Sequence, residues 1–125
     1  MIRNQKGFSL IELMITLSII GILASISQPN FLRYIVRAKE ASLQKTLFTF
    51  REVIDQYYGD HGSYPDSLEE LADRKYIREV PEDPFTKSST SWIIMPPEGE
   101  EVGGVYDVHS GSNLVSLDGS PYNEW

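Results

Sequence analysis

From Phe8 to Ser27 the chain reads FSLIELMITLSIIGILASIS, an apolar run broken by a single charge at Glu12. At about 1.5 Å of rise per residue, a helix of this length spans the ~30 Å hydrocarbon core of a bilayer. Beyond Pro29 the pattern becomes periodic. Phe31, Ile35, Ala38, Leu43, Leu47, Phe50, Ile54 and Tyr58 recur at steps mostly of three and four, and Arg33, Arg37, Lys39, Glu40, Lys45, Arg51, Glu52 and Asp55 fill the face between them. The pattern predicts one helix of about fifty residues, half in a membrane and half amphipathic. Pro29 removes an intrahelical donor and its ring clashes with the carbonyl four residues back, so a kink or local melting is expected just before it. The amphipathic half needs a sheet to cover its apolar stripe. Most of the aromatic side chains Phe31, Tyr34, Phe48, Phe50, Tyr57 and Tyr58 are expected in that core rather than in an electron path.

Gly59-Asp60-His61-Gly62-Ser63-Tyr64-Pro65 brings the helix to an end with glycines and a proline. A short second helix follows, with Ser67 placed to cap it and Glu70 three residues on for the reciprocal bond. Val80-Pro81-Glu82-Asp83-Pro84-Phe85 forces an extended, turn-rich crossing. Three strand candidates remain, 91–95, 105–108 and 114–117, with the acidic loop Pro96-Pro97-Glu98-Gly99-Glu100-Glu101 after the first and the turn Asp118-Gly119 after the third. The expected fold is α+β: a long bent N-terminal helix packed on a small antiparallel sheet.

Charge adds an orientation. Arg3 and Lys6 precede the apolar run without an acid, whereas from Gln28 onward there are 9 basic and 17 acidic side chains, a balance of -8. Positive residues favour the cytoplasmic side of a span, so a short N-terminus inside and one small head outside, in the periplasm, are expected. An acidic head argues against nucleic acid as a partner, because phosphate binding needs a basic stripe. The absence of cysteine excludes disulfides, thiol catalysis and cysteine-ligated metals.

A secretory signal peptide is the first rival for the N-terminus, with Ser25 and Ser27 as its small cleavage residues. Its apolar stretch is only ~7–15 residues, shorter than the run here. A lone carboxylate inside such a run costs about 2.5–3.5 kcal/mol on insertion scales unless it finds a partner. Cleavage after Gly7 would create one, because the freed amine of Phe8 is cationic and within reach of Glu12 of the same or an adjacent helix. Lys6-Gly7-Phe8-Ser9-Leu10-Ile11-Glu12, a basic leader, Gly before Phe and an acid four positions beyond Phe, resembles the recognition site of type IV prepilins and type II secretion pseudopilins. The resemblance implies a prepilin peptidase that cuts between Gly7 and Phe8 and N-methylates Phe8. It implies that Glu12 pairs with a neighbour's amine during assembly, and that Pro29 is the helix-bending proline common in these proteins. The chain then divides into a leader, 1–7, a transmembrane and filament-core helix, 8–28, and an amphipathic helix with a periplasmic head, 29–125. Gly21, Ala24 and Ser25 are small enough to let helices pack closely.

The second half is similar to the major, G-type pseudopilin of type II secretion through Tyr57 and Asp60 before Gly62-Ser63-Tyr64-Pro65, then Ser67-Leu68-Glu69-Glu70-Leu71, Tyr76-Ile77, Pro81-Glu82-Asp83-Pro84 and Asp118-Gly119. That resemblance implies a pilin-like fold and a homopolymeric pseudopilus. Its partners would be minor pseudopilins and an inner-membrane assembly platform with a cytoplasmic ATPase. The alternative is a type IV pilin of a surface fibre for adhesion, motility or DNA uptake. The pseudopilin resemblance also implies a calcium ion in the C-terminal loop, for which Asp118 with Ser110, Ser116 and Glu124 would supply some of the oxygens. No cofactor is otherwise required. His61 and His109 lie in turn-rich stretches without catalytic spacing, and Glu98, Glu100 and Glu101 form a solvated charge run, so no enzyme is expected.

Overall fold

A computed structural model describes residues 7–99 and 103–125, and only the backbone of residues 27–30. Arg3, Lys6, Glu100 and Glu101 lie outside the described residues. The chain divides into two compact units, one ending at Ile35 and the other running Val36–Trp125.

Helix α1 runs Leu10–His61, as the apolar run and the period after it require. Its backbone stays helical through Pro29, so local melting is not what the proline causes. A missing N–H removes one rung of the ladder, and the neighbouring rungs still hold the turn. The helix passes Gly59 and stops at Gly62, whose φ of 71° suits the left-handed cap and whose N–H bonds the Tyr58 carbonyl at 2.8 Å.

The core side of α1 is Leu43, Leu47, Phe50, Val53, Ile54 and Tyr57, all buried. Among the expected core aromatics, Phe31, Tyr34 and Phe48 are instead 63%, 63% and 66% exposed. Periodicity marks which face of a helix is apolar, but that face is buried only where another element lies on it.

Helix α2, Leu68–Asp73, is capped by Ser67, whose Oγ accepts the Glu70 N–H at 3.2 Å. The return bond is shifted by one residue. Glu70 Oε2 accepts the Asp66 N–H at 2.7 Å, and Oε1 accepts the Tyr57 hydroxyl at 2.8 Å, which ties α2 to α1. The bonds from Asp66 and Tyr57 hold the Glu70 carboxyl below the usual carboxylate range, and the Glu70 bond pushes the Tyr57 phenol up.

Strand β1, Ile93–Met95, pairs antiparallel with β2, Asp107–His109, placing Ile94 opposite Val108. The expected third strand, 114–117, does not form. The Leu114 N–H bonds Ser112 Oγ at 3.1 Å and the Leu117 N–H bonds Glu40 Oε1 at 2.9 Å, so side chains take the donors a ladder would use. Only an isolated bridge between Val115 and Pro121 remains, before a 3-10 turn at Tyr122–Glu124. Trp92, Val105, Val108 and Tyr122 close the core over Leu68, Leu71 and the buried face of α1.

Candidate functional site

Two regions hold the residues that the sequence singles out. At the N-terminal one, Gly7, Phe8 and Ser9 are non-helical and exposed, and α1 begins directly after them. Phe8 is 88% exposed. Ser9, which sequence reasoning passed over, is the helix cap: its Oγ accepts the Glu12 N–H at 3.2 Å and its carbonyl accepts the Leu13 N–H at 3.2 Å. The signal was legible as Ser9-Leu10-Ile11-Glu12, the Ser-x-x-Glu start of a helix. Glu12 therefore sits in the first turn, where the helix N-terminus favours a negative charge. Among the described residues no side chain pairs with its carboxylate. Every residue of Leu10–Ile26 is exposed. The hydroxyls of Thr16, Ser18 and Ser25 are turned back onto the carbonyls of Glu12, Met14 and Ile22 at 2.7, 2.8 and 2.7 Å, so these three hydroxyls do not need water. The helix is long and apolar enough to cross a membrane. Pro29 lies within α1, with its side chain outside the described residues.

The second region is the C-terminal loop. Asp118 is exposed, and its Oδ1 accepts the hydroxyls of Ser116 and Ser120 and the Ser120 N–H, the last two at 2.7 and 3.0 Å. The Ser116 and Ser120 bonds bring the Asp118 carboxyl down to about 2. The structure does not bring the other expected oxygen donors to it in free form. Ser110 is fully buried and its hydroxyl donates to Asp83, and Glu124 is exposed.

Three residues that organise the head were not assigned a role from sequence. Asp83 is fully buried, and its Oδ1 accepts the N–H groups of Phe85 and Thr86 at 2.8 and 3.4 Å, so it shapes the 83–88 turn from inside. Glu40 reaches from α1 to the loop, and Arg51 bonds Asp107 Oδ1 at 2.8 Å and the Trp125 carbonyl at 2.9 Å. His109 lies in β2 rather than in a turn. Its Nε2 is 3.5 Å from Asp107 and its buried Nδ1 has no hydrogen-bond partner among the described residues. His61 is exposed and packs against Tyr57. No group of three or more His, Asp and Glu suited to a metal ion occurs among the described residues.

Comparison with known proteins bears on the first region. Residues 2–27 match the prokaryotic N-terminal methylation motif. The chain is type IV prepilin-like. It is 41% identical over 61 residues to the fimbrial protein EcpC of Eikenella corrodens, a match covering 49% of this chain and 40% of that protein. It is 38% identical over 63 residues to the type IV major pilin protein PilE1 of Neisseria gonorrhoeae, covering 50% and 38%. With the type IV major pilin protein PilA of Myxococcus xanthus the identity is 36% over 68 residues, covering 54% and 31%. The prepilin-like chain thus spans 40% or less of the length of each of these relatives. No solved structure matches it.

Proposed function

We propose that the chain is a structural, non-enzymatic subunit of a type IV filament, cut between Gly7 and Phe8 by a prepilin peptidase and polymerised as a type IV pilin. The observation that carries this reading is the wholly exposed apolar helix surface of residues 10–26, which lies within the matched motif and holds one acid with no side-chain partner among the described residues. Such a surface needs either lipid or copies of itself around it, and the processed subunit uses the two in turn. Before assembly the helix is anchored in the inner membrane with the head in the periplasm. In the filament, the Phe8 amine of one copy neutralises Glu12 of the next.

Gly7 supports the same reading. A side chain at that position would meet nothing within 4 Å among the described residues, so the fold of this chain does not ask for glycine there. A narrow peptidase pocket does, and the non-helical, exposed segment around it suits a protease cleft. The pilins named above favour a surface fibre over a secretion pseudopilus. The pseudopilus stays as a second reading because Ser67, Glu70, Asp83 and Asp118, which carry that resemblance in the second half, are the side chains whose hydrogen bonds hold the head's helix cap, turn and loop.

Mass spectrometry of the membrane fraction tests the processing, with N-methylated Phe8 as the expected mature terminus. A mature terminus at Gln28, the product of signal peptidase, would refute it. Electron microscopy of intact cells with antibody to the head then separates surface fibres from filaments confined to the periplasm.

A further inference from the structure

Calcium requires six to eight oxygens at about 2.3–2.6 Å, arranged with their lone pairs facing the ion. In the C-terminal loop the acceptors nearest the turn already hold donors from the chain itself. Asp118 Oδ1 holds the Ser116 hydroxyl, the Ser120 hydroxyl and the Ser120 N–H. Ser120 Oγ accepts the Trp125 indole N–H at 2.9 Å. Across the turn the Ser116 N–H bonds the Ser120 carbonyl at 2.8 Å and the Gly119 N–H bonds the Ser116 carbonyl at 3.1 Å, with Gly119 at a φ of 96°. Glu40 Oε1 receives both the Leu117 N–H at 2.9 Å and the Tyr122 hydroxyl at 2.7 Å, anchoring the loop to α1.

We infer that the C-terminal loop of this chain is closed without a metal ion, by Ser116 and Ser120 gathered on Asp118, by Trp125 bonded to Ser120, and by Glu40 reaching across from α1. The residues do not fit calcium. Ser110 and Ser116 use their hydroxyls as donors to Asp83 and Asp118, and Glu124 enters the turn through its backbone N–H, bonded to the Pro121 carbonyl at 3.1 Å. Arg51 lines the same open groove as Asp118, with Gln44, Leu47, Phe48 and Trp125, and its guanidinium opposes a cation there. The carboxylate–hydroxyl ring does what an ion does elsewhere: it gives the loop one closed conformation, at the cost of depending on hydroxyls that no ion can replace.

The test uses the full chain in detergent micelles, with tryptophan fluorescence followed through thermal unfolding in excess calcium and in excess chelator. Equal midpoints in the two media, and no calcium-binding heat in calorimetry, are expected. The double variant Ser116→Ala, Ser120→Ala should lower the midpoint by about 4–8 °C in both, the shift a small domain shows when it loses roughly one hydrogen bond's worth of stability. A calcium-dependent rise in the wild-type midpoint that Asp118→Asn abolishes would overturn the inference. If the double variant does not fold, the wild-type melts and calorimetry still decide. The result does not depend on filament formation, since a chain that never polymerises has the same loop.

Discussion

Glu12 and Asp118 are both exposed carboxylates in opposite circumstances. Asp118 has three donors on one oxygen, and Glu12 has no side-chain partner among the described residues although apolar positions surround it. In lipid or in a filament core little water reaches such an acid, and if it pairs with the Phe8 amine of a neighbouring copy, as proposed above, breaking that pair would strand one charge at a cost of about 3–5 kcal/mol. Glu12→Gln keeps the shape and removes the charge, so the variant is expected to insert and to be cleaved but not to polymerise. Cleavage by mass spectrometry and sheared filaments by microscopy are measured side by side. Normal filaments would show that apolar packing alone drives assembly. Asp118 makes a prediction in pH. Its folded-state value, about 2, lies below the ordinary 3.8, so the loop's contribution is fully present above about 4 and is lost as pH falls toward 2. Acid melts of wild type should fall across that window, and Asp118→Asn should flatten this part of the curve.

The short elements of the head depend on close approaches that allow no side chain. Gly111 passes directly over strand-flanking Ser91, and a Cβ there would lie 2.0 Å from the Ser91 carbonyl oxygen and 2.9 Å from its carbon. Both atoms are backbone and cannot rotate away. Gly111→Ala is therefore expected to destabilise the head by about 1–3 kcal/mol, read as a lower urea midpoint with an unchanged slope. Gly119, with open space around its Cβ position, is constrained by its φ instead. The two-stranded β1–β2 pair is too small to hold itself together. It persists because Val108 is buried against the core and Arg51 bonds both Asp107 and the Val108 carbonyl from α1.

Seen whole, the molecule keeps its buried core within Val36–Trp125, whereas Leu10–Ile26 buries nothing. The two parts should therefore respond separately to mutation. Ile54→Ala removes a fully buried side chain between Phe50 and Tyr57, and the cavity should lower the stability of the head by about 2–5 kcal/mol. Trp92, edge-on to Phe50 at 5.1 Å, reports that loss by fluorescence. Membrane insertion and cleavage after Gly7 should be unchanged, as fractionation and mass spectrometry would show. A defect in insertion would mean that the head takes part in it.

The sequence by itself determined what depends on neighbours along the chain. The apolar run, the α1 period, the Ser67 cap and the stop at Gly62 follow from spacings of a few residues and from backbone preferences, and so does the match at residues 2–27. Only the tertiary structure decided what depends on partners far apart. Residues 114–117 are apolar enough for a strand, yet Ser112 and Glu40 take the N–H groups of Leu114 and Leu117. Phe31 and Phe48 have the hydrophobicity of core residues, yet both are exposed among the described residues. Asp83 reads as one more acid in a proline-rich turn, yet it is fully buried, and Ser110, distant in sequence, donates to it there. Asp118 reads in sequence as one acid of an Asp-Gly turn, and only the fold shows that the hydroxyls of Ser116 and Ser120 are the groups that reach it. A local pattern states what a side chain is suited to, and the donors and surfaces brought to it by the rest of the chain settle which of those uses it has.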